Sequence, residues 1–395
     1  MSMSVKALPK AKLPLSTLKA FLDVSKKFIN RDTKDIFRVA VLENGYLRMA
    51  NGDFNLRVKV ADDSPEIPLD VETTKKLLKA YKTNTITLSP DPDDNKIYIN
   101  VDSSHISMRK ENKFYDADEK LFNATSIAAL DKNTFLKGLD SVLPYASRGN
   151  YAVNLHTTGF FVLSGKLHIV AADGFKLGMY KFNNAEVASY AVKLLNNARD
   201  PYNGLDTNIF VLPLEAVEIL KAALNKLPTS ENVVIGFSGL ANGNYLHFKS
   251  GDVEMSFLVP LHEFPDITKV FPKDDPAIIV KVRAKDLFKI TNRLAGITET
   301  DHMRVRFGDS LKENALKLFL DEPNFSITEY VEATYEKKEN PFNVTLNPAF
   351  VSVAETAWKK FGSDELTFKF YDPNYPVQID SNFGFTALVM PIREI

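Results

Sequence analysis

Two periods of apolar and polar residues alternate along this chain, and they follow one another in the same order three times. A short strand-like run leads into an amphipathic helix, and stretches with period-two alternation come next. The blocks occupy 67–109, 210–259 and 344–392, with helices expected to begin at Val71, Leu214 and Pro348, about a third of the chain apart. Upstream of each block the pattern predicts a further helix, at 16–29, 131–143 and 283–296, and then more strands. Arg57-Val58-Lys59-Val60 is typical of these strands, with one face wet. Asn44-Gly45 and Asn242-Gly243 sit where hairpin turns belong. Pro144 and Pro228 are placed to end helices, and Pro213 and Pro348 to occupy first helical positions. The expected fold is α+β, three copies of a domain in which two helices pack on antiparallel sheets of about six to eight strands. Boundaries are expected at 1–126, 127–278 and 279–395, with no low-complexity linker between copies.

On a helical wheel Leu18, Phe21, Leu22, Val24, Phe28 and Ile29 form one face of the first helix and Lys19, Lys26 and Lys27 another. Val71, Leu77, Leu78 and Tyr81 similarly leave Lys75, Lys76, Lys79 and Lys82 together. The other helices carry Lys137; Lys221 and Lys226; Lys285, Lys289 and Arg293; Lys359 and Lys360. Acids concentrate in loops such as 90–94 and 116–119. This sorting matters because the whole chain of 395 residues is nearly neutral, with 49 Lys+Arg against 50 Asp+Glu. Net charge argues against a polycation that binds nucleic acid indiscriminately, whereas equivalent basic helices from three copies could line one positive wall for phosphates.

Composition narrows the classes further. With 45% hydrophobic and 25% charged residues the chain is typical of globular proteins, and with no cysteine it has no disulfide, thiolate ligand or cysteine nucleophile. No apolar run approaches the length of a membrane span and the N-terminus lacks a signal-peptide core, so a cytoplasmic location and no membrane partner are expected. His105, His156, His168, His247, His262 and His302 fall at no helical zinc spacing. Gly159 to Lys166 has one residue too many between its glycines for a phosphate loop, and Leu167 stands where a hydroxyl would hold magnesium. No catalytic residue, metal site or cofactor is expected.

Three segments resemble a known family. Residues 169–177, IVAADGFKL, resemble the ATDGHRL signature of the bacterial sliding clamp, the beta subunit of DNA polymerase III. Residues 264–272, FPDITKVFP, are similar to its FPDYRRVLP segment, and 388–393, LVMPIR, to its closing VMPMR. Taken with the repeat, the resemblance covers essentially the whole chain. It implies a head-to-tail homodimer of three-domain subunits, a pseudo-sixfold ring with helices lining the hole. Such a ring would hold double-stranded DNA without regard to sequence and tether DNA polymerase and clamp loader through short linear peptides. The alternative is a clamp-fold interaction scaffold that does not encircle DNA.

DNA-contacting residues implied by the resemblance and the basic helices are Lys19, Lys26, Arg31, Lys76, Lys79, Lys137, Arg148, Tyr151, Lys221, Lys289, Arg293 and Lys359. The implied peptide pocket comprises Val153, Ala172, Gly174, Phe175, Lys176, Leu177, Pro265, Lys269, Val270, Asn347, Phe350, Met390, Pro391, Ile392 and Arg393. The chain departs from the family pattern at Ala172, which replaces a hydroxyl residue, at Phe175, which replaces histidine, and at Lys176 and Lys269, which replace arginines. A lysine lacks the planar guanidinium fork, so a divergent clamp with altered partner preference is expected.

Overall fold

Asn44 and Gly45 both adopt left-handed backbone, with φ of 49° and 79°, and close the hairpin between strands Val39–Glu43 and Tyr46–Ala50. Consecutive positive φ values are what a two-residue hairpin turn needs, and Asn-Gly supplies them at least cost. A side chain at Gly45 would also meet the Ala61 carbonyl at 2.2 Å. In the computed structural model, elements of this kind assemble into two units, Met1–Lys132 with Glu215–Pro260 and Asn133–Leu214 with Leu261–Ile395. The structure describes residues 9–30, 33–91, 93–115, 119–148, 155–163, 165–188, 209–240, 243–260, 264–265, 267–297, 305–309, 314–322, 324–338 and 343–392.

In the first unit, one antiparallel sheet runs Ala11–Pro14, Thr85–Asp91, Lys96–Val101, Ser104–Arg109. A second sheet passes from Thr125–Asp131 through Asn232–Leu240, Gly243–Ser250 and Val253–Leu258 to Phe54–Lys59, Tyr46–Ala50, Val39–Glu43 and Ile67–Asp70. It joins the first and second repeats where Val253 faces Val58 and Phe257 faces Phe54. The second unit repeats this device. Its long sheet joins the second and third repeats where Lys176–Phe182 pairs with Phe385–Val389. The second repeat thus gives strands to both units, because backbone pairing continues across each repeat boundary.

Helices begin close to the expected places. α1 spans Leu15–Ser25, α2 Val71–Leu78, α3 Lys132–Val142, α4 Leu214–Lys226 and α5 Ala284–Ala295. The carboxylate of Asp70 caps α2 by accepting from the Thr73 amide at 2.7 Å. Three details differ from the wheel and cap reading. Leu77 is only half-buried, and Thr74 fills the stripe with Val71 and Leu78 because residues three and four apart share a face. Pro213 ends strand Ile209–Pro213 and precedes the helix. The first helical amide, Leu214, donates to His156 at 3.0 Å, so the proline takes a position where no N–H is required. The expected third-repeat helix is two pieces, α6 (Pro348–Ser352) and α7 (Glu355–Phe361). Between them Val353 and Ala354 stay right-handed, while Ala354, Thr356 and Ala357 bond three residues back. α7 stops at Gly362, whose φ of 70° suits a helix C-terminus.

Aromatic rings fill the second unit's core around Trp358, with Phe288, Phe383 and Phe385 at centroid distances of 5.5–5.9 Å. Gly178 lies against buried Tyr145, and a Cβ added there would come within 2.4 Å of that ring. Gly178→Ala is therefore expected to lower stability by about 2 kcal/mol through overpacking, read as a lower urea midpoint at unchanged slope. In the first unit burial pushes His247 down to about 4, against the opposing pull of Glu254. An unfolded chain takes up that proton near pH 6.5 and the folded one only near pH 4. Stability should fall across that window as pH drops, by up to about 1.4 kcal/mol per pH unit. His247→Gln should flatten the slope in urea titrations between pH 7 and 5.

Candidate functional site

The 173–176 loop is built by a single carboxylate. Asp173 Oδ1 accepts from the amides of Phe175 and Lys176, each at 2.9 Å, and Gly174 between them has a φ of 93°. Short acidic side chains close turns in this way, and glycine adopts the left-handed backbone without strain. The Met390 amide donates to the Phe175 carbonyl at 2.8 Å, and the Ile392 amide to the Thr345 carbonyl at 2.8 Å. The closing segment is thereby tied to the loop on one side and to the strand before α6 on the other. Asn347 caps α6 by accepting from the Ala349 amide at 2.9 Å, with Pro348 at the first helical position, and this sets Phe350 beside Phe175.

Within this second unit lies an apolar groove of about 110 Å³. Eight of the expected pocket residues line it: Ala172, Gly174, Phe175, Lys176, Leu177, Pro265, Val270 and Met390. Lys269, Asn347, Phe350, Pro391 and Ile392 are not on its wall, and Val153 and Arg393 lie outside the described residues. Leu155, Phe264, Ile267 and Leu388 complete the wall and were not anticipated. The motifs could have pointed to three of them: Phe264 and Ile267 belong to the 264–272 segment and Leu388 opens the 388–393 segment. Leu155, Phe264, Ile267, Leu177 and Leu388 are buried, so the floor of the groove is also core.

The rim is less basic than its lysines imply. Lys176 pairs with Asp173, the two side chains being only 9% and 17% exposed, and its ammonium lies 5.3 Å from the centre of the Phe350 ring. Phe175 is the most exposed of the large apolar residues described, at 62%.

The expected DNA-contacting residues meet different fates. Lys19 folds back to donate to the carbonyls of Lys79, at 3.3 Å, and Tyr81, just past the C-terminal end of α2. A cation there satisfies orphan carbonyls and the helix dipole, so this ammonium has a structural task. Lys26 pairs with Glu72 at 3.1 Å, Lys221 with Glu218 at 3.8 Å, Lys359 with Glu355 at 2.9 Å, and Arg293 with Glu329. Lys137 stands 5.7 Å over the Phe361 ring. Asp23 is held below the usual carboxylate range. Burial raises it, but Lys75 at 2.5 Å and Lys226 at 3.5 Å outweigh that effect. Lys76, Lys79, Arg148 and Lys289 are exposed. Arg31 and Tyr151 lie outside the described residues.

His168 bonds the Lys166 carbonyl at 2.9 Å and His247 meets Ser238 at 2.8 Å. His262 and His302 lie outside the described residues. Among the described residues no three His, Cys, Asp or Glu side chains are grouped to hold a metal. No helix among them is long and apolar enough to cross a membrane.

No protein-family model matches the sequence, and no curated protein does. Solved structures do. The DNA polymerase III beta subunit of Thermotoga maritima is 19% identical with a TM-score of 0.75, over 98% of this chain and 100% of that one. The sliding clamp of Bartonella birtlesii, solved bound to griselimycin, is 20% identical with a TM-score of 0.74 over the same shares. The beta subunit of Pseudomonas aeruginosa is 16% identical with a TM-score of 0.75, again over 98% and 100%. Identity this low speaks to fold: across 98% of its length the chain has the fold of the bacterial DNA polymerase III beta subunit, the sliding clamp.

Proposed function

We propose that the chain is a sliding clamp. Two copies close head to tail around duplex DNA, and the groove at Phe175 receives short peptides of a DNA polymerase and a clamp loader. On this reading each copy contributes three domains, 1–126, 127–278 and 279–395, works in the cytoplasm and catalyses nothing. The outer strand Ser104–Arg109 ends its sheet, and such an edge offers unpaired backbone groups to a second copy.

The observation that carries the reading is how charge is settled on the helices. Glu72, Asp23, Asp140, Glu218 and Glu355 are each neutralised in place by Lys26, by Lys75 with Lys226, by Lys360, by Lys221 and by Lys359. Among the described residues Lys76, Lys79 and Lys289 have no carboxylate within 4 Å, which leaves helices of both units with exposed positive charge. Phosphates attract such charge without regard to base sequence. Surface pairs such as Lys26–Glu72 are worth little, so those lysines can also exchange a carboxylate for a phosphate.

Light scattering should give the mass of two chains. Loaded onto nicked circular DNA, the protein should remain through a salt wash and leave once the circle is cut, whereas retention on linear DNA would rule out a topological hold. Replacing Lys76, Lys79 or Lys289 by Ala should reduce the salt dependence of DNA affinity by about one unit of slope per residue that meets a phosphate. Lys19→Ala should instead lower stability by about 1 kcal/mol through the lost bond to the α2 carbonyls, with little change in that slope.

A further inference from the structure

The two seams between repeats are built to one plan. At the first, Asn51 Oδ1 accepts from the amides of Asp53 and Phe54, at 3.1 and 2.8 Å, around Gly52 with a φ of 94°. The Leu258 amide donates to the Asp53 carbonyl at 2.8 Å. These bonds match, position for position, the turn that Asp173 closes around Gly174 and the bond from Met390 to Phe175 at the second seam. The match carries Leu177 onto Asn55, which pair with Ala172 and Ala50 across equivalent hairpins. It also carries Leu388 onto Ser256, because Leu177 faces Leu388 and Asn55 faces Ser256. Two apolar residues of the groove thus have polar counterparts in the first unit.

These counterparts are buried, with Asn55 1% and Ser256 0% exposed. Among the described residues, Asn55 Nδ2, Asn55 Oδ1 and Ser256 Oγ have no hydrogen-bond partner. Leaving such atoms unpaired is costly, and nearly all buried polar atoms of folded proteins find a partner in protein or in ordered water. We propose that the first seam is a closed site for ordered water, held by these three atoms, which is the number of polar partners a buried water commonly has. An aliphatic side chain in the same place would strand all three, so the chemistry of the apolar groove is not duplicated at this seam. The site is also covered. Segment Glu119–Phe122 packs on strand Val253–Leu258, which carries Ser256. Side chains two apart on a strand share a face, so Arg57 and Glu254 lie beside Asn55 and Ser256. Arg57 donates to Glu119 at 2.7 Å and to Glu254 at 2.6 Å, and Arg48 donates to Glu119 at 2.9 Å. The Phe122 ring lies 4.1 Å from the Arg57 guanidinium and completes the cover.

A high-resolution crystal structure of the full chain should show a well-ordered water within hydrogen-bond distance of both the Asn55 side-chain amide and Ser256 Oγ. Ser256→Ala keeps the Cβ and removes one partner of that water, so it should lower the urea midpoint at unchanged slope. An orphaned hydroxyl would respond in the opposite sense, because deleting it relieves a buried unpaired group. The proposal is overturned if no water density lies between the two side chains, if a protein group or a bound peptide occupies the place, or if Ser256→Ala raises the midpoint. The water site stands whether or not the groove of the second unit docks peptides.

Discussion

Everything described here depends on strand pairing that does not stop where a repeat stops. Val253–Leu258 continues into Phe54–Lys59, and Lys176–Phe182 into Phe385–Val389. Each seam satisfies backbone groups that would otherwise lie at a sheet edge. Each also buries facing apolar pairs, Phe257 with Phe54 and Leu177 with Leu388. A repeat boundary in sequence is thus the inside of a sheet in space.

The groove is a by-product of the second seam. Where Lys176 pairs with Val389, the chain turns through Asp173–Lys176 on one strand and leaves through Met390 on the other. Segment 264–270 closes the gap with Phe264, Pro265, Ile267 and Val270. Because its floor is core, the shape of the groove is set by the same packing that stabilises the unit. At its mouth the exposed Phe175 stacks on Phe350, and it stands where the signature that the chain resembles has histidine.

Charge on the helices follows another logic. A near-neutral chain can still present positive helices if its helical acids are matched locally, as Asp23 is by two lysines. Long-range attraction then comes from the excess cations, and it weakens with salt over a screening length of about 8–10 Å. Lys19 shows the limit of counting lysines, since its charge serves the end of α2.

Much of this was legible in the residues alone. Helix starts at Val71, Leu214 and Pro348 follow from caps and periodicity, and the Asn44-Gly45 turn follows from backbone sterics, because all of these depend on near neighbours in the chain. The motif segments named most of the groove wall for a similar reason, since each carries its own turn or strand. What local pattern did not reveal was which residue a neighbouring element would cover. Thr74 is buried in place of Leu77, Pro213 completes a strand, and Leu155 joins a wall that Phe264, Ile267 and Leu388, each more than a hundred residues further on, help to close. Nor could charge alone tell that Lys19 would reach carbonyls sixty residues on or that Lys176 would be neutralised by Asp173. Periodicity and turn chemistry act over a few residues and are written in order, whereas burial and ion pairing depend on what the fold brings alongside, and only the folded chain decides that.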